Sequence, residues 1–291
     1  MLLNSPQDQA RVKRRRRKNQ LFHFIFFVST FFGVVALAIL LLQILIQGFS
    51  WLDWQFLTSF SSRKPELSGI KVAMVGTIWM MSVTAPLTFI IGVSTAIYLE
   101  EYARDTWFSR LIQVNIANLA GVPSIVFGLL GLTVFVRLFG LGNSILAGAL
   151  TMTLLVLPII IVASQEAIRG VPMSLRHASF ALGANRWQTI VRVVLPSSFP
   201  GILTGSILSM SRAIGETAPL IVVGAVAYIA FLPENLLSSF TVMPIQIYTW
   251  AGLPQKDFQN VAGAGIILLL IMLLSMNAIA IFLRNKYQKK H

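Results

Sequence analysis

The chain has 291 residues, 56% of them hydrophobic and 11% charged, and carries a formal net charge of +13. An ordinary soluble domain has about a quarter of its residues charged, so this composition excludes a fold that covers itself against water and points to the bilayer as solvent. No cysteine occurs, and the three histidines (His23, His177 and His291) have no ligand spacing, so disulfides, thiolate chemistry, a metal site and a bound cofactor are not expected.

From the N-terminus, the first feature is a basic run, RVKRRRRK at residues 11–18, which holds seven of the 23 lysines and arginines. It stands before an apolar stretch from 21 to 46 and reads as a topology anchor, not as a nucleic-acid arm. Ala36-Leu37-Ala38 resembles a signal-peptidase site, but the stretch exceeds the roughly 7–15 apolar residues of a signal peptide. It is read as a retained span, and residues 1–20 as a cytoplasmic tail of no assigned fold.

Six apolar segments, at 21–47, 70–98, 111–138, 144–164, 199–232 and 261–283, each reach the roughly 20 residues that a helical span requires. Their continuous apolar character predicts an all-α polytopic membrane protein with six transmembrane helices, since barrel strands would alternate. The transmembrane domain is expected over 21–283, followed by a second basic tail at 284–291. With the N-terminus in the cytoplasm, that side holds seven basic residues in the first tail, then Arg104 and Arg110, then Arg169, Arg176, Arg186 and Arg192, then Arg284, Lys286, Lys289 and Lys290. The outside holds Arg63, Lys64, Lys71, Arg137 and Lys256. This bias predicts that both termini are cytoplasmic, and Trp51, Trp54, Tyr248 and Trp250 fall where interfacial rings belong.

The longest polar stretch between spans, about 165–198, lies on the cytoplasmic side. Ser174 suits the N-cap of a short helix reaching Leu182, and Gly183 a left-handed C-cap. A second short helix is expected from Arg186 to Leu195, stopped near Pro196. Two such helices around a glycine hinge form a knob able to dock on another protein. The residues His177, Ala178, Ser179, Gly183, Val193, Val194, Leu195 and Pro196 resemble the EAA loop of bacterial ABC import permeases, with nine residues between Gly183 and Val193 as in that motif. His177 stands where the motif has Glu, and Ser179 where it has its second Ala.

A second resemblance covers more of the chain. NLAGVPSIVFGL (118–129), SRAIGETAP (211–219) and MPIQIYTW (243–250) are similar to the PstA-type phosphate permeases. The resemblance implies a type I importer permease fold in a bacterial inner membrane. It also implies a complex with a second, homologous permease, a cytoplasmic ABC ATPase dimer and an external phosphate-binding protein. The sequence contains no Gly-Lys dipeptide and hence no Walker A motif, so ATP is expected to bind another subunit.

Two charges fall inside a span. Arg212 lies thirteen residues beyond Phe199, about 20 Å along the axis, and Glu216 follows on the same helix face. At that depth each costs about 2.5–3.5 kcal/mol, so both are expected to face protein or water. One reading is a structural ion pair. The other is a pathway in which Arg212 offers a planar fork to an oxyanion while Glu216 holds it or accepts the proton of hydrogen phosphate. Ser209, Ser211 and Thr217 add hydroxyls, Pro219 leaves the Gly215 carbonyl free and predicts a kink, and Gly205 and Gly215 permit close helix approach.

The remaining polar residues carry less. In the third span Gly121, Pro123, Ser124, Gly128 and Gly131 make a small face for helix packing, Asn118 adds a polar group, and Arg137 is expected to snorkel. Glu100 and Glu101 are read as part of a solvated turn with Tyr102 and Arg104. Asp53, Glu66, Glu234 and Asp257 are scattered, and no enzyme is expected. The reading is an ATP-driven phosphate-import permease subunit contacting lipid and no nucleic acid. A permease for sulfate or molybdate, an ion-gradient-driven transporter and a membrane scaffold or sensor remain as alternatives.

Overall fold

A computed structural model describes residues 6–225 and 228–288. The helices in chain order are α1 (Pro6–Gly48), α2 (Trp54–Thr58), α3 (Lys71–Ile97), α4 (Trp107–Leu119), α5 (Ser124–Gly131), α6 (Ile145–Arg169), α7 (Met173–Ala181), α8 (Arg186–Thr189), α9 (Leu195–Gly215), α10 (Ala218–Val223), α11 (Met243–Ala251) and α12 (Lys256–Gln288). No strand occurs among the described residues. Wider π-helical turns continue α3 through Tyr98–Tyr102 and α5 through Leu132–Leu138, and join α8 to α9 through Ile190–Val194. Lys289, Lys290 and His291 of the expected C-terminal tail lie outside the described residues.

Five helical stretches are long and apolar enough to cross a membrane, and a sixth span arises if α4 and α5 are taken together. The third apolar segment is not one straight helix: α4 and α5 meet at 105°. Gly121 lies in the turn, and Pro123 has φ −55° and ψ 135° with no N–H to continue the ladder, so the chain leaves the helix here. The fifth segment is broken too. α9 ends at Gly215, Glu216 is extended (φ −73°, ψ 131°), and α10 restarts with Pro219 in its first turn. The expected kink at Pro219 is therefore a full break. The segment also ends early: Gly224 closes α10 in the left-handed region (φ 95°), and only part of 224–232 is described.

α3, α6 and α9 form the centre of the bundle. The α6–α9 contact is made by small residues one turn apart: a Cβ on Gly201 or Gly205 would meet Ala167 or Ala163 at 2.8 and 2.5 Å. Backbones approach this closely where side chains are small, which is how membrane helices gain dispersion contact without a hydrophobic drive. Gly92 of α3 fits against Ile160 of α6 in the same way. Met80, Met152, Val156, Met210 and Phe240 fill the space between these helices and the half-helices α5 and α10. Gly215, expected to permit such an approach, has no neighbour within 4 Å.

α1 stands apart. It includes the basic run, its apolar side chains are exposed along its length, and its C-terminal end rests on α12 where the Gly48 and Gly263 backbones touch. Since the end of α1 meets the start of α12, these helices run antiparallel. α3 and α6 both end beside the α7–α8 segment, and Arg284 near the end of α12 reaches Thr204 of α9 at 3.1 Å. The loops rich in arginine thus gather at one end of the bundle.

Candidate functional site

The first region with chemistry is the break after α9. Arg212 Nε donates to Glu216 Oε1 at 3.2 Å, so the expected pairing forms, although Glu216 sits just beyond the helix. The arginine side chain is 60% exposed and the carboxylate 17%. Only Nε is engaged among the described residues, which leaves the terminal nitrogens of the guanidinium to face outward as a fork. A guanidinium with this exposure beside the break of an apolar helix is not stable against hydrocarbon, and would need water or another polypeptide around it there.

The residues expected around the pair divide. Ser209 is buried and donates to the Gly205 carbonyl at 2.8 Å, so its hydroxyl serves its own helix. Ser211 donates to Ile207 O at 2.8 Å and also contacts Asn277 Oδ1 of α12. Asn277 was not singled out in the sequence; a lone Asn in an otherwise apolar span was the available signal. Thr217 lies in the break (φ −115°, ψ −45°), half-buried, with no capping bond from its side chain. Pro219 is buried, and its backbone lies against Gly128 of α5. The two broken spans therefore pack their half-helices on each other.

The second region is the α7–α8 knob. Pro172, extended at ψ 137°, stands at the N-cap in place of the expected Ser174. Gly183 has φ +85°, as expected of a left-handed cap, and Asn185 with Gln188 forms a capping box that starts α8. Ser179 and Thr189 join the two helices through their hydroxyls at 2.9 Å. Pro196 does not stop the second helix: the widened Ile190–Val194 turn before it accommodates the ring, and the chain continues as α9. His177 and Ala178 are exposed, Val193, Leu195 and Pro196 half-buried. Leu175, Ala178, Ser179, Leu182, Gly183 and Val193 help line a groove on this knob.

Two carboxylates expected to be merely solvated tie the elements together at this end, one between spans and one to the knob. Glu100 accepts from Gln165 Nε2 at 2.7 Å and from Arg169 through Nη2 at 2.7 Å and Nε at 2.9 Å, joining the end of α3 to the end of α6. Glu101 accepts from Arg176 Nη2 at 3.0 Å and Nε at 3.3 Å. Arg176 also donates to the carbonyls of Val171 at 2.6 Å and Ile168 at 2.9 Å. Adjacent positions on a helical turn diverge by about 100°, so one glutamate faces α6 and its neighbour α7. Beyond this clamp, Asp105 receives Arg110, whose hydrogen bond and charge hold that exposed carboxyl below the usual range.

Residues 88–290, which span both regions, match the family described as binding-protein-dependent transport system inner membrane component. The chain belongs to that family. The permease is 35% identical over 264 residues to the phosphate transport system permease protein PstA 1 of Mycobacterium tuberculosis (strain ATCC 25618 / H37Rv), covering 89% of this chain and 85% of that protein. It is 31% identical to the phosphate transport system permease protein PstA of Yersinia pestis, over 94% of this chain and 92% of the relative. A bacterial ABC transporter involved in the import of the acidic polysaccharide alginate has the same fold, with a TM-score of 0.62, 14% identity, and coverage of 95% of this chain and 99% of that one. The permease is thus a multi-pass membrane component of an ABC importer, built to work with other subunits.

Proposed function

We propose that this permease imports phosphate, pairing with a second permease to enclose the pathway and taking substrate from an external phosphate-binding protein. Its knob docks on a cytoplasmic ABC ATPase dimer that supplies the energy, and both termini lie in the cytoplasm. The observation that carries the reading is Arg212: a fork with free donors, anchored by Glu216, at a broken point of a membrane helix. Broken backbone at membrane depth is tolerated where it lines a cavity or is covered by protein, and a fixed guanidinium there suits a tetrahedral oxyanion. The names of the relatives support phosphate as that oxyanion.

The knob supports the coupling role. Met173, Phe180, Leu182 and Trp187 are exposed on it, an apolar surface that water disfavours and a partner would cover. The basic end of the bundle supports a cytoplasmic position for this face. The test is ATP-dependent uptake of labelled phosphate and sulfate by proteoliposomes holding this chain with its partner permease and ATPase. Uptake of phosphate in preference to sulfate, abolished by Arg212→Gln in complexes that assemble normally, is expected. Uptake of sulfate instead would overturn the substrate, and uptake without ATPase would overturn the mechanism.

A further inference from the structure

We propose that Glu101 and Arg176 are positioning residues that make the coupling helix α7 one rigid body with the ends of α3 and α6, so that movement of α7 is transmitted into the membrane. The inference rests on the reading of this chain as an ATP-driven import permease and concerns how the force is carried.

None of the residues of α7 is buried, so apolar packing holds it only weakly. Its backbone link to α6 is Gly170, Val171 and Pro172, of which only Val171 is buried. The Ser179–Thr189 bond ties α7 to α8, which runs on through Ile190–Val194 into α9, so it links the knob to that span and not to α3 or α6.

The side chain that joins α7 to α3 and α6 is Arg176. Its guanidinium donates to the carbonyls of Ile168 and Val171, residues buried with Ala96, Val194 and Ile202 in a small apolar cluster beneath the knob. Its third partner is Glu101, at the end of α3. One side chain therefore joins the knob to two spans, and both members of the ion pair are nearly out of solvent, 11% and 12% exposed. A guanidinium fork satisfied by two carbonyls and a carboxylate has no second orientation in which all its donors are met. Glu100 is unlike its neighbour: it ties α3 to α6 and does not reach α7.

A load on α7 therefore reaches α3 and α6 through this cluster. Without the carboxylate, α7 loses its link to α3, and its movement no longer reaches that span. ATP would still be hydrolysed, and the stroke would be lost.

The experiment compares phosphate transported per ATP hydrolysed in proteoliposomes of the assembled complex. Glu101→Gln is expected to lower this ratio at least about tenfold while ATP hydrolysis continues, because a buried guanidinium left without its carboxylate no longer holds its place. Glu101→Asp, which keeps the charge, is expected to recover part of the ratio. An unchanged ratio in Glu101→Gln would overturn the proposal. Should that variant not assemble, spin labels on Arg104→Cys and Ser174→Cys, in a chain with no other cysteine, give a second reading with the pair intact. The distance between them is expected to be the same in nucleotide-free and ATP-trapped complexes, and a change between the two states would overturn the proposal. A wild-type complex that imports no phosphate would instead remove the substrate reading, and the label distance would still decide the clamp.

Discussion

Gly128 of α5 lies so close to Pro219 of α10 that a methyl group on the glycine would sit 2.7 Å from the proline Cα and 2.9 Å from its carbonyl oxygen. Both residues belong to half-helices created by the two breaks, so this contact sets where the loose ends of the broken spans meet. The obstacle is backbone, which cannot swing aside as a long side chain can. Gly128→Ala is expected to cost about 1–3 kcal/mol, the usual range for overpacking, and to lower both the unfolding temperature of the complex and its uptake. Gly215→Ala makes the internal comparison. Nothing lies within 4 Å of that position, and it is expected to leave stability unchanged or slightly raised, since Ala favours helix over Gly.

Much of this arrangement is legible in the sequence, and what is not has a common cause. Span number and class follow from apolar length, the Gly183 cap from a local conformational need, and the Arg212–Glu216 pair from a spacing of four residues. The 105° break was not legible, because Gly121 and Pro123 in an apolar run fit a packed small-residue face as well as a turn, and only the packing of α5 on α10 decides between them. Glu100 with Arg169 and Glu101 with Arg176 lie 69 and 75 residues apart in the chain. No periodicity connects such positions, and in one sequence a pair of glutamates in a polar turn looks the same solvated or clamped. Ser211 with Asn277, 66 residues apart, is hidden for the same reason.

The roles given to Arg212 and Glu216 separate by substitution. Arg212→Lys keeps the charge but loses the planar fork, so partial uptake with a raised KM is expected, whereas Arg212→Gln loses uptake. Glu216→Gln replaces the charged acceptor for the proton that hydrogen phosphate carries and sulfate lacks with a neutral, weaker one that can also donate to sulfate. Discrimination against sulfate is expected to fall in this variant. Competition of unlabelled sulfate against labelled phosphate measures it, and undiminished discrimination would leave Glu216 as a holder of Arg212 alone.

Gly183 isolates backbone conformation from packing. It has φ +85° and open space around it, so a side chain there meets strain but no clash. Gly183→Ala is expected to cost about 1–2 kcal/mol, the penalty of a left-handed conformation for an L-residue, and Gly183→Asn less, because Asn enters that region more readily. The effect should appear as weaker binding of the ATPase to the assembled permease pair, with the unfolding temperature of the membrane part little changed.

The two glutamate clamps predict different thermodynamics from similar chemistry. Arg169 is 48% exposed, while Glu100 is only 13% exposed and keeps the Gln165 amide as a second donor. Arg169→Gln is therefore expected to cost about 1–3 kcal/mol, since it strands a largely covered carboxylate that still accepts from Gln165. Arg176→Gln leaves Glu101 at 12% exposure with its charge uncompensated and withdraws donors from two carbonyls, and about 3–5 kcal/mol is expected. Adding Glu101→Gln to Arg176→Gln removes the stranded charge and should recover part of that stability, as measured by thermal unfolding of the purified complex. It does not rebuild a link between α7 and α3, so transport per ATP is expected to stay low in the double variant. Stability that returns without coupling would separate the work of this pair in transmission from its work in folding.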